Sequence, residues 1–198
     1  MGAGQDGFRL VLIAVLTLTG LIALPARIKS RTSETLDRRR EGPFMLATLR
    51  PAGMLCWLAV LACAFRPSWM TWSSLQLPCA LRWAGVAVWA AAAALLAWTF
   101  HHLGRNLTDT VVTRRDHQLI TGGPYRYVRN PFYDSAALLT LSISLIAANW
   151  FILVSGTIVF VLLVVRTRTE EAHLIARFGD DYRAYMQRTG RFLPWTRP

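Results

Sequence analysis

The chain has little of the residue chemistry that builds metal centres and disulfide frameworks. Its three cysteines, Cys56, Cys63 and Cys79, lie in or beside apolar segments and form no C-x-x-C pair. Its four histidines show no H-E-x-x-H or similar spacing. The sequence therefore argues against a metal site and a disulfide framework, and it leaves the cysteines as small apolar residues.

Lysine, and charge in general, is also scarce. Lys29 is the only lysine among 22 basic residues, and charged residues make up 17% of the chain against 54% apolar residues. The arginines behind the net charge of +11 are spread over three separate segments, and no nucleic-acid-binding motif accompanies them. We therefore expect no nucleic acid partner and expect the arginines to lie against anionic headgroups of a lipid bilayer.

Five apolar runs dominate the sequence. A helix of roughly 20 residues crosses the hydrocarbon of a bilayer, and the last two runs are shorter than this. The predicted spans are residues 8–26, 44–65, 81–100, 132–148 and 150–165. Because only Asn149 separates the last two, they are predicted to form a tight helical hairpin over 132–165. The predicted fold is all-α and polytopic transmembrane, with one integral membrane domain, 1–198, whose first part, 1–103, holds three spans.

The distribution of arginine predicts the orientation of the spans. Arginines cluster after the first, third and fifth spans, whereas the connection after the second span holds only Arg66, with Arg82 at the start of the third span. Because cytoplasmic loops collect basic residues, the N-terminus is predicted outside and the C-terminus in the cytoplasm of a multi-pass membrane protein. A cleaved signal peptide over 1–26 is the alternative, and the absence of positive charge at its N-terminal end disfavours it.

The last apolar run continues without a helix breaker into a polar segment. Arg166 and Glu170 are four residues apart, so one continuous helix would place both on one side near the hydrocarbon boundary. Such a pair is either a surface ion pair of small energetic value or a functional site, and the cost of ionisable groups at that depth favours the second. Gly179 is predicted to end the helix, and residues 180–188 are predicted to form a short amphipathic helix.

A second polar cluster, GGPYRYVRNPFYDS at 122–135, precedes the hairpin. Its glycines and prolines predict a turn, and Asp134 with Ser135 is predicted to cap the first helix of the hairpin. Folding alone does not explain the tyrosines, the arginines and the asparagine of the cluster. They are either interfacial anchors or functional side chains.

Together, HQLITGGPYRYVRNPFY, the predicted hairpin and RTRTEEAHLIARFGDDYRAYMQRTGRFLP resemble the isoprenylcysteine carboxyl methyltransferase family of integral membrane enzymes. The resemblance covers residues 104–194. It implies a methyltransferase that uses S-adenosylmethionine, bound by the cytoplasmic half, 104–198. It also implies a lipophilic or prenylated acceptor that enters from the bilayer and is methylated on a carboxylate.

The resemblance further implies the site residues. The family's cofactor contacts fall on His117, Gln118, Leu119, Ile120, Tyr125, Asn130, Pro131, Phe132, Tyr133 and Glu170. The family's substrate-binding arginine falls on Arg166, and Arg129 occupies the arginine of the R-H-P motif. Arg129, Arg166 and Glu170 are therefore the predicted catalytic residues.

Two positions depart from the family pattern. Asn130 stands where the family has histidine, so a role that needs a proton or a cation at this point would be lost. Ser135 stands where glycine is common in the family. These changes affect the expected acceptor more than the expected cofactor.

Three alternatives remain open at the level of the sequence. A phospholipid or other lipid-amine N-methyltransferase would not need two arginines and would favour a base or a carboxylate near the acceptor. An NADPH-dependent membrane reductase and a non-catalytic membrane protein could use a similar scaffold, because a fold alone does not decide function. Arg129 and Arg166 favour an anionic acceptor over the lipid amine. The oligomeric state is not indicated.

Overall fold

The chain folds almost entirely into α-helices. The computed structural model describes residues 3–30, 43–103 and 119–194. The helices in these ranges are α1 Ala3–Ser30, α2 Pro43–Phe65, α3 Cys79–Leu103, α4 Pro131–Ala147, α5 Trp150–Phe178 and α6 Asp180–Arg188. Two short 3-10 helices, Pro67–Ser73 and Gly123–Arg126, precede α3 and α4. The described ranges contain no β-strand, so the predicted all-α class is confirmed.

Within the described ranges, four helices have the length that a membrane span requires, whereas five spans were predicted. Helices α1, α2, α3 and α5 are each long and apolar enough to cross a bilayer. Helix α4 has 17 residues, which is the lower end of the spanning range, and pairs with the much longer α5. Many large apolar side chains on these helices are exposed, among them Leu21, Trp57 and Ile158. Such a surface suits contact with lipid rather than with water.

Small residues allow α4 to pack closely against α3 and α5. A Cβ atom at Gly85 of α3 would lie 2.8 Å from the Cβ of Leu145 on α4, beside the fully buried Ile146. A Cβ atom at Gly156 of α5 would overlap the side chain of Thr140 on α4. Close approach of this kind is how small residues stabilise helix packing in membranes. Helix α4 is therefore held on both sides.

The turn between α4 and α5 confirms the predicted hairpin. Ala148 adopts the left-handed conformation, with φ +50°. The Asn149 Oδ1 accepts hydrogen bonds from the backbone N–H groups of Phe151 and Ile152 at 3.1 and 3.2 Å, and so caps α5. The Asn149 Nδ2 donates to the Ser73 hydroxyl at 2.8 Å. The connection between α2 and α3 thereby fixes the turn.

The start of α4 differs from the predicted capping. The helix begins at Pro131 after Asn130, so Asp134 and Ser135 lie inside the helix. Proline suits the first helical position because its missing N–H would have no intrahelical acceptor there. The Ser135 hydroxyl donates to the Pro131 carbonyl at 2.8 Å. The prediction that Asp134 and Ser135 cap this helix is therefore wrong.

The far end of α5 agrees with the prediction. The helix continues unbroken from its apolar run to Phe178. Gly179 follows with φ +56°, a conformation that glycine adopts at little cost, and α6 begins directly after it. Helix α5 thus carries residues 166–178 out of the apolar part of the bundle, toward the segment that precedes α4.

Candidate functional site

Three polar side chains meet where α5 leaves its apolar run. The hydroxyl of Tyr133, on α4, lies 2.7 and 2.9 Å from the two carboxylate oxygens of Glu170. The Nε of Arg166 lies 3.1 Å from Glu170 Oε1, and these two side chains are 11% and 21% exposed. The predicted shared face of Arg166 and Glu170 is confirmed, and α4 adds Tyr133 to it. The carboxylate is thereby held in one orientation by two helices.

The loop before α4, residues 119–130, packs against α3 and α6. Gly123 has φ +61°, and the His102 ring of α3 occupies the space that a side chain at Gly123 would need. The Tyr185 hydroxyl of α6 donates to the Tyr125 carbonyl at 2.6 Å. These contacts fix the position of the loop relative to two helices that are distant in sequence.

Three tyrosines near this loop are shielded from water. Burial raises the pKa of Tyr125 and of Tyr182 above the ordinary tyrosine value, and the Glu170 carboxylate adds to the rise for both. Burial raises the pKa of Tyr185 to about 12. All three hydroxyls are therefore protonated at neutral pH, and Tyr185 remains a hydrogen-bond donor.

Arg129 is bound by groups of the protein itself. Its Nε and Nη2 lie 3.1 and 3.0 Å from Glu171 Oε1. Its Nη1 donates to the carbonyls of Met186, at 3.1 Å, and of Thr189. The Glu171 side chain is only 6% exposed and also pairs with Arg191. Arg129 therefore joins the loop, α5 and the segment after α6, and this geometry favours a structural role over the predicted contact with an acceptor.

Asn130 belongs to the same junction. Its Nδ2 donates to the Arg191 carbonyl at 3.1 Å. Next to it, the Arg129 N–H donates to the Gly190 carbonyl at 2.8 Å, and Val128 pairs with Gly190 in an isolated bridge. The side-chain bond needs a donor but no charge. Asparagine supplies that donor at the position where the resembled family has histidine.

The other predicted cofactor residues lie around the start of α4. Leu119 and Ile120 are partly buried in the loop, and Pro131 is buried at the first turn. Phe132 is 37% exposed, and its ring centroid lies 5.8 Å from that of Phe100 on α3. His117 and Gln118 lie outside the described residues.

Three residues of this region were not singled out from the sequence: Glu171, Tyr185 and Arg191. Glu171 is adjacent to Glu170, but successive residues on a helix point about 100° apart, so the two carboxylates have different partners. This helical offset could have indicated from the sequence that Glu171 has a different set of partners from Glu170. Tyr185 and Arg191 have partners 60 and 20 residues away, which no local pattern indicates.

A cavity of about 360 Å³ opens beside the loop. It is lined by Thr121, Arg126, Tyr185, Arg188 and Thr189. Arg126 and Arg188 are exposed, so the cavity wall is positively charged and can hold polar, anionic groups. By contrast, no three histidine, cysteine or acidic side chains of the described ranges come together as a ligand set for a metal ion.

Parts of this chain are similar in sequence to known proteins. The sequence profile of the phospholipid methyltransferase family (PEMT) matches residues 80–181, which begin one helix earlier than the motifs noted above. Protein-S-isoprenylcysteine O-methyltransferase of Schizosaccharomyces pombe is 32% identical over 98 residues, covering 46% of this chain and 40% of the relative. Methanethiol S-methyltransferase 1 of Bradyrhizobium diazoefficiens is 30% identical over 73 residues, covering 37% of this chain and 25% of the relative.

A solved structure shares the fold. The eukaryotic intramembrane Ras methyltransferase ICMT (isoprenylcysteine carboxyl methyltransferase) aligns with a TM-score of 0.57 and 23% identity over 75% of this chain. The chain spans 53% of that structure and less than half of the two relatives above. The resemblance inferred from the motifs is confirmed. Together with the membrane-length helices, these likenesses identify a multi-pass integral membrane protein.

Proposed function

The chain belongs to the phospholipid methyltransferase family, and on that premise we propose that it is a membrane methyltransferase that uses S-adenosylmethionine. The observation that carries the proposal is the cluster of Tyr133, Arg166 and Glu170, which lies inside the matched region. A carboxylate at the boundary of the hydrocarbon is costly unless it is paired or used. Here it is paired in a way that leaves it oriented for a ligand.

The residues around Glu170 suit S-adenosylmethionine. That molecule carries a sulfonium, an amino group and an aromatic base, and when bound it supplies an activated methyl group. The Glu170 carboxylate can accept a hydrogen bond from an amino group or balance a positive charge. The rings of Tyr125, Phe132 and Tyr133 can face a cation or stack on a base. Because Tyr133 and Arg166 already hold Glu170, the side chain loses little conformational entropy when the ligand binds.

The remaining proposed cofactor contacts surround this cluster. They are His117, Gln118, Leu119, Ile120, Asn130 and Pro131. Apolar residues and proline cannot offer polar side-chain groups, so their part is contact through backbone groups and exclusion of water. The Asn130 side chain acts indirectly in this proposal, because its Nδ2 fixes the start of α4 against Arg191.

For the acceptor we propose a carboxylate on a lipophilic molecule, such as a prenylated cysteine. Arg166 is the acceptor-side residue, because a guanidinium can orient a carboxylate by charge-assisted hydrogen bonds. A carboxylate is already ionised at neutral pH, so the protein has to position it rather than deprotonate it. Arg129 has a structural part here, since its donors are used by Glu171, Met186 and Thr189.

A lipid amine is the second candidate acceptor. With Arg129 engaged in the structural junction, only Arg166 of the two predicted arginines is assigned to the acceptor, which weakens the preference for an anion. Asp134, next to Tyr133 on α4, is partly buried and has no hydrogen bond or ion pair from its carboxyl group within the described ranges. A carboxylate at that position could attract an ammonium group. This observation favours the lipid amine specifically.

Transfer of labelled methyl groups tests the function and the acceptor together. Purified full-length protein is given S-adenosylmethionine labelled in the methyl group, with farnesylated cysteine, phosphatidylethanolamine or a long-chain thiol. We expect label on farnesylated cysteine that mild base releases, as a methyl ester requires. Base-resistant label in phosphatidylethanolamine would establish the amine acceptor, and label on the thiol alone would contradict both.

Variants of α5 test the part assigned to Arg166. Arg166→Gln is expected to raise the KM for the acceptor about tenfold, the cost of one charge-assisted hydrogen bond, and to change cofactor binding much less. Arg168→Gln is the matched control, because Arg168 is exposed on the same helix. Equal effects of the two substitutions would remove Arg166 from the acceptor site.

A further inference from the structure

A second cavity lies at the opposite end of the helices from Glu170. It encloses about 160 Å³ and forms where α1 and α3 begin, α2 ends and α4 turns into α5. Glu170 is 20 residues beyond the first residue of α5. At about 1.5 Å per residue, that is about 30 Å. The cavity is therefore separate from the proposed site of methyl transfer.

Two arginines line the cavity, and both cap the ends of helices. The Arg9 Nε donates to the Ala64 carbonyl, in the last turn of α2, at 2.7 Å. The Arg82 Nε and Nη2 donate to the Ile146 carbonyl, in the last turn of α4, at 3.0 and 2.6 Å. Carbonyls in the last turn of a helix have no intrahelical partner. The two arginines supply these missing partners and use some of their N–H donors to do so.

These capping hydrogen bonds do not use all the N–H donors of the two arginines. A guanidinium has five N–H groups. Within the described ranges, three nitrogens have no protein acceptor: Nη1 and Nη2 of Arg9, and Nη1 of Arg82. Asp6 also lines the cavity but forms no ion pair with either arginine. The cavity thus combines two cations with unused donors and one separate carboxylate.

Tryptophans indicate that this end of the bundle lies at a membrane interface. Trp69, Trp72 and Trp83 are 70%, 59% and 54% exposed, and Trp150 stands at the turn into α5. Tryptophan is enriched at the level of lipid headgroups because its ring is apolar and its N–H is polar. Phosphate groups of the surrounding lipid are therefore the anions closest to the cavity.

We propose that this cavity binds the headgroup of a phospholipid, with Arg9 and Arg82 donating to the phosphate and Asp6 facing an amino group. Hydrogen bonds from guanidinium to phosphate are charge-assisted and strong. Because Asp6 adds a negative charge, a zwitterionic headgroup such as phosphoethanolamine fits better than an anionic one such as phosphoglycerol. The bound lipid holds together the ends of α1, α3 and α4 on the side away from methyl transfer.

Native mass spectrometry of the full-length protein tests the proposal. Dioleoyl phosphatidylethanolamine, dioleoyl phosphatidylglycerol, dioleoylglycerol and inorganic phosphate are titrated separately into delipidated protein. We expect the tightest binding for phosphatidylethanolamine, weaker binding for phosphatidylglycerol and none for dioleoylglycerol. Binding of dioleoylglycerol as tight as that of the phospholipids, or of inorganic phosphate without either phospholipid, would overturn the assignment.

Variants locate the binding. Arg9→Gln is expected to weaken phosphatidylethanolamine binding about tenfold, whereas Arg66→Gln, an exposed arginine at the same end that does not line the cavity, leaves it unchanged. Asp6→Asn removes no protein contact and is expected to abolish the preference for phosphatidylethanolamine over phosphatidylglycerol.

Glu170→Gln separates the two sites, because lipid binding that disappears in this variant belongs to the methyl-transfer site. Equal losses in Arg9→Gln and Arg66→Gln, or unchanged selectivity in Asp6→Asn, would contradict the proposal.

Discussion

At the scale of the residue, two adjacent glutamates have different surroundings and different roles. Glu170 contacts Tyr133 and Arg166, whereas Glu171 is buried between Arg129 and Arg191. A single step along α5 separates the two environments because successive helical residues point about 100° apart. We propose a ligand-binding part for the first carboxylate and a structural part for the second.

The burial of the Glu171 carboxylate between two arginines leads to a prediction about stability. Glu171→Gln removes the charge that compensates Arg129, so it is expected to lower the free energy of unfolding by about 3 kcal/mol. Thermal and chemical unfolding in detergent measures the change. Asp181→Asn is the control, because Asp181 is an exposed acidic residue nearby on α6. Unchanged stability in Glu171→Gln would show that the junction of Arg129, Glu171 and Arg191 does not hold the fold.

A second prediction concerns Asn130, where the resembled family has histidine. The bond to the Arg191 carbonyl needs only a donor. Asn130→His is therefore expected to retain stability and S-adenosylmethionine binding, whereas Asn130→Leu loses about 1 kcal/mol of stability. Unfolding curves and cofactor titrations measure both. If Asn130→His gained methyl transfer by an order of magnitude without a change in stability, the position would have a chemical part beyond this bond.

At the scale of the element, the apolar runs predicted the helices well. Long uninterrupted runs define spans because only helices satisfy their backbone within lipid. The unbroken extension of α5 and its end at Gly179 also followed from local pattern. The capping of α4 did not, because Pro131 defines the start of the helix through its own fixed φ. The 3-10 helix Pro67–Ser73 was also missed, since its proline indicates a turn but does not distinguish a 3-10 helix from an irregular loop.

Helix packing gives a third prediction. Gly156→Ala places a Cβ atom into Thr140 of the neighbouring helix and is expected to destabilise the protein by about 1 to 3 kcal/mol. Gly53→Ala is the matched control, because no atom lies within 4 Å of a Cβ at that position in α2. Both variants are compared by thermal unfolding in the same detergent. A Gly156→Ala protein as stable as Gly53→Ala would show that α4 and α5 can separate without cost.

At the scale of the whole molecule, the contacts that build the site join distant segments. The motifs predicted Tyr133 and Glu170 as site residues through the family resemblance, and the hairpin brings them together. The junction of Arg129 with Glu171 was not predicted, because their separation of 42 residues exceeds any local periodicity. The sequence therefore indicated which residues take part but not which of them pair with one another.

The arginine distribution makes a prediction about orientation. With the native cysteines replaced by serine, Ser74→Cys in the connection after α2 is expected to react with a membrane-impermeant maleimide in intact cells. Asp181→Cys on α6 is expected to react only after the membrane is permeabilised, because the basic segments after α3 and α5 should be cytoplasmic. The reverse labelling pattern would invert the predicted topology.

Calorimetric titration of S-adenosylmethionine into the purified protein tests the proposed function most directly. We expect saturable binding by the native chain and by Asp181→Asn, and binding at least about tenfold weaker for Glu170→Gln, because a charged partner of the ligand is lost. NADPH, titrated in parallel, is expected not to bind. Folded native protein that binds NADPH but not S-adenosylmethionine would contradict a methyltransferase site built around Tyr133, Arg166 and Glu170.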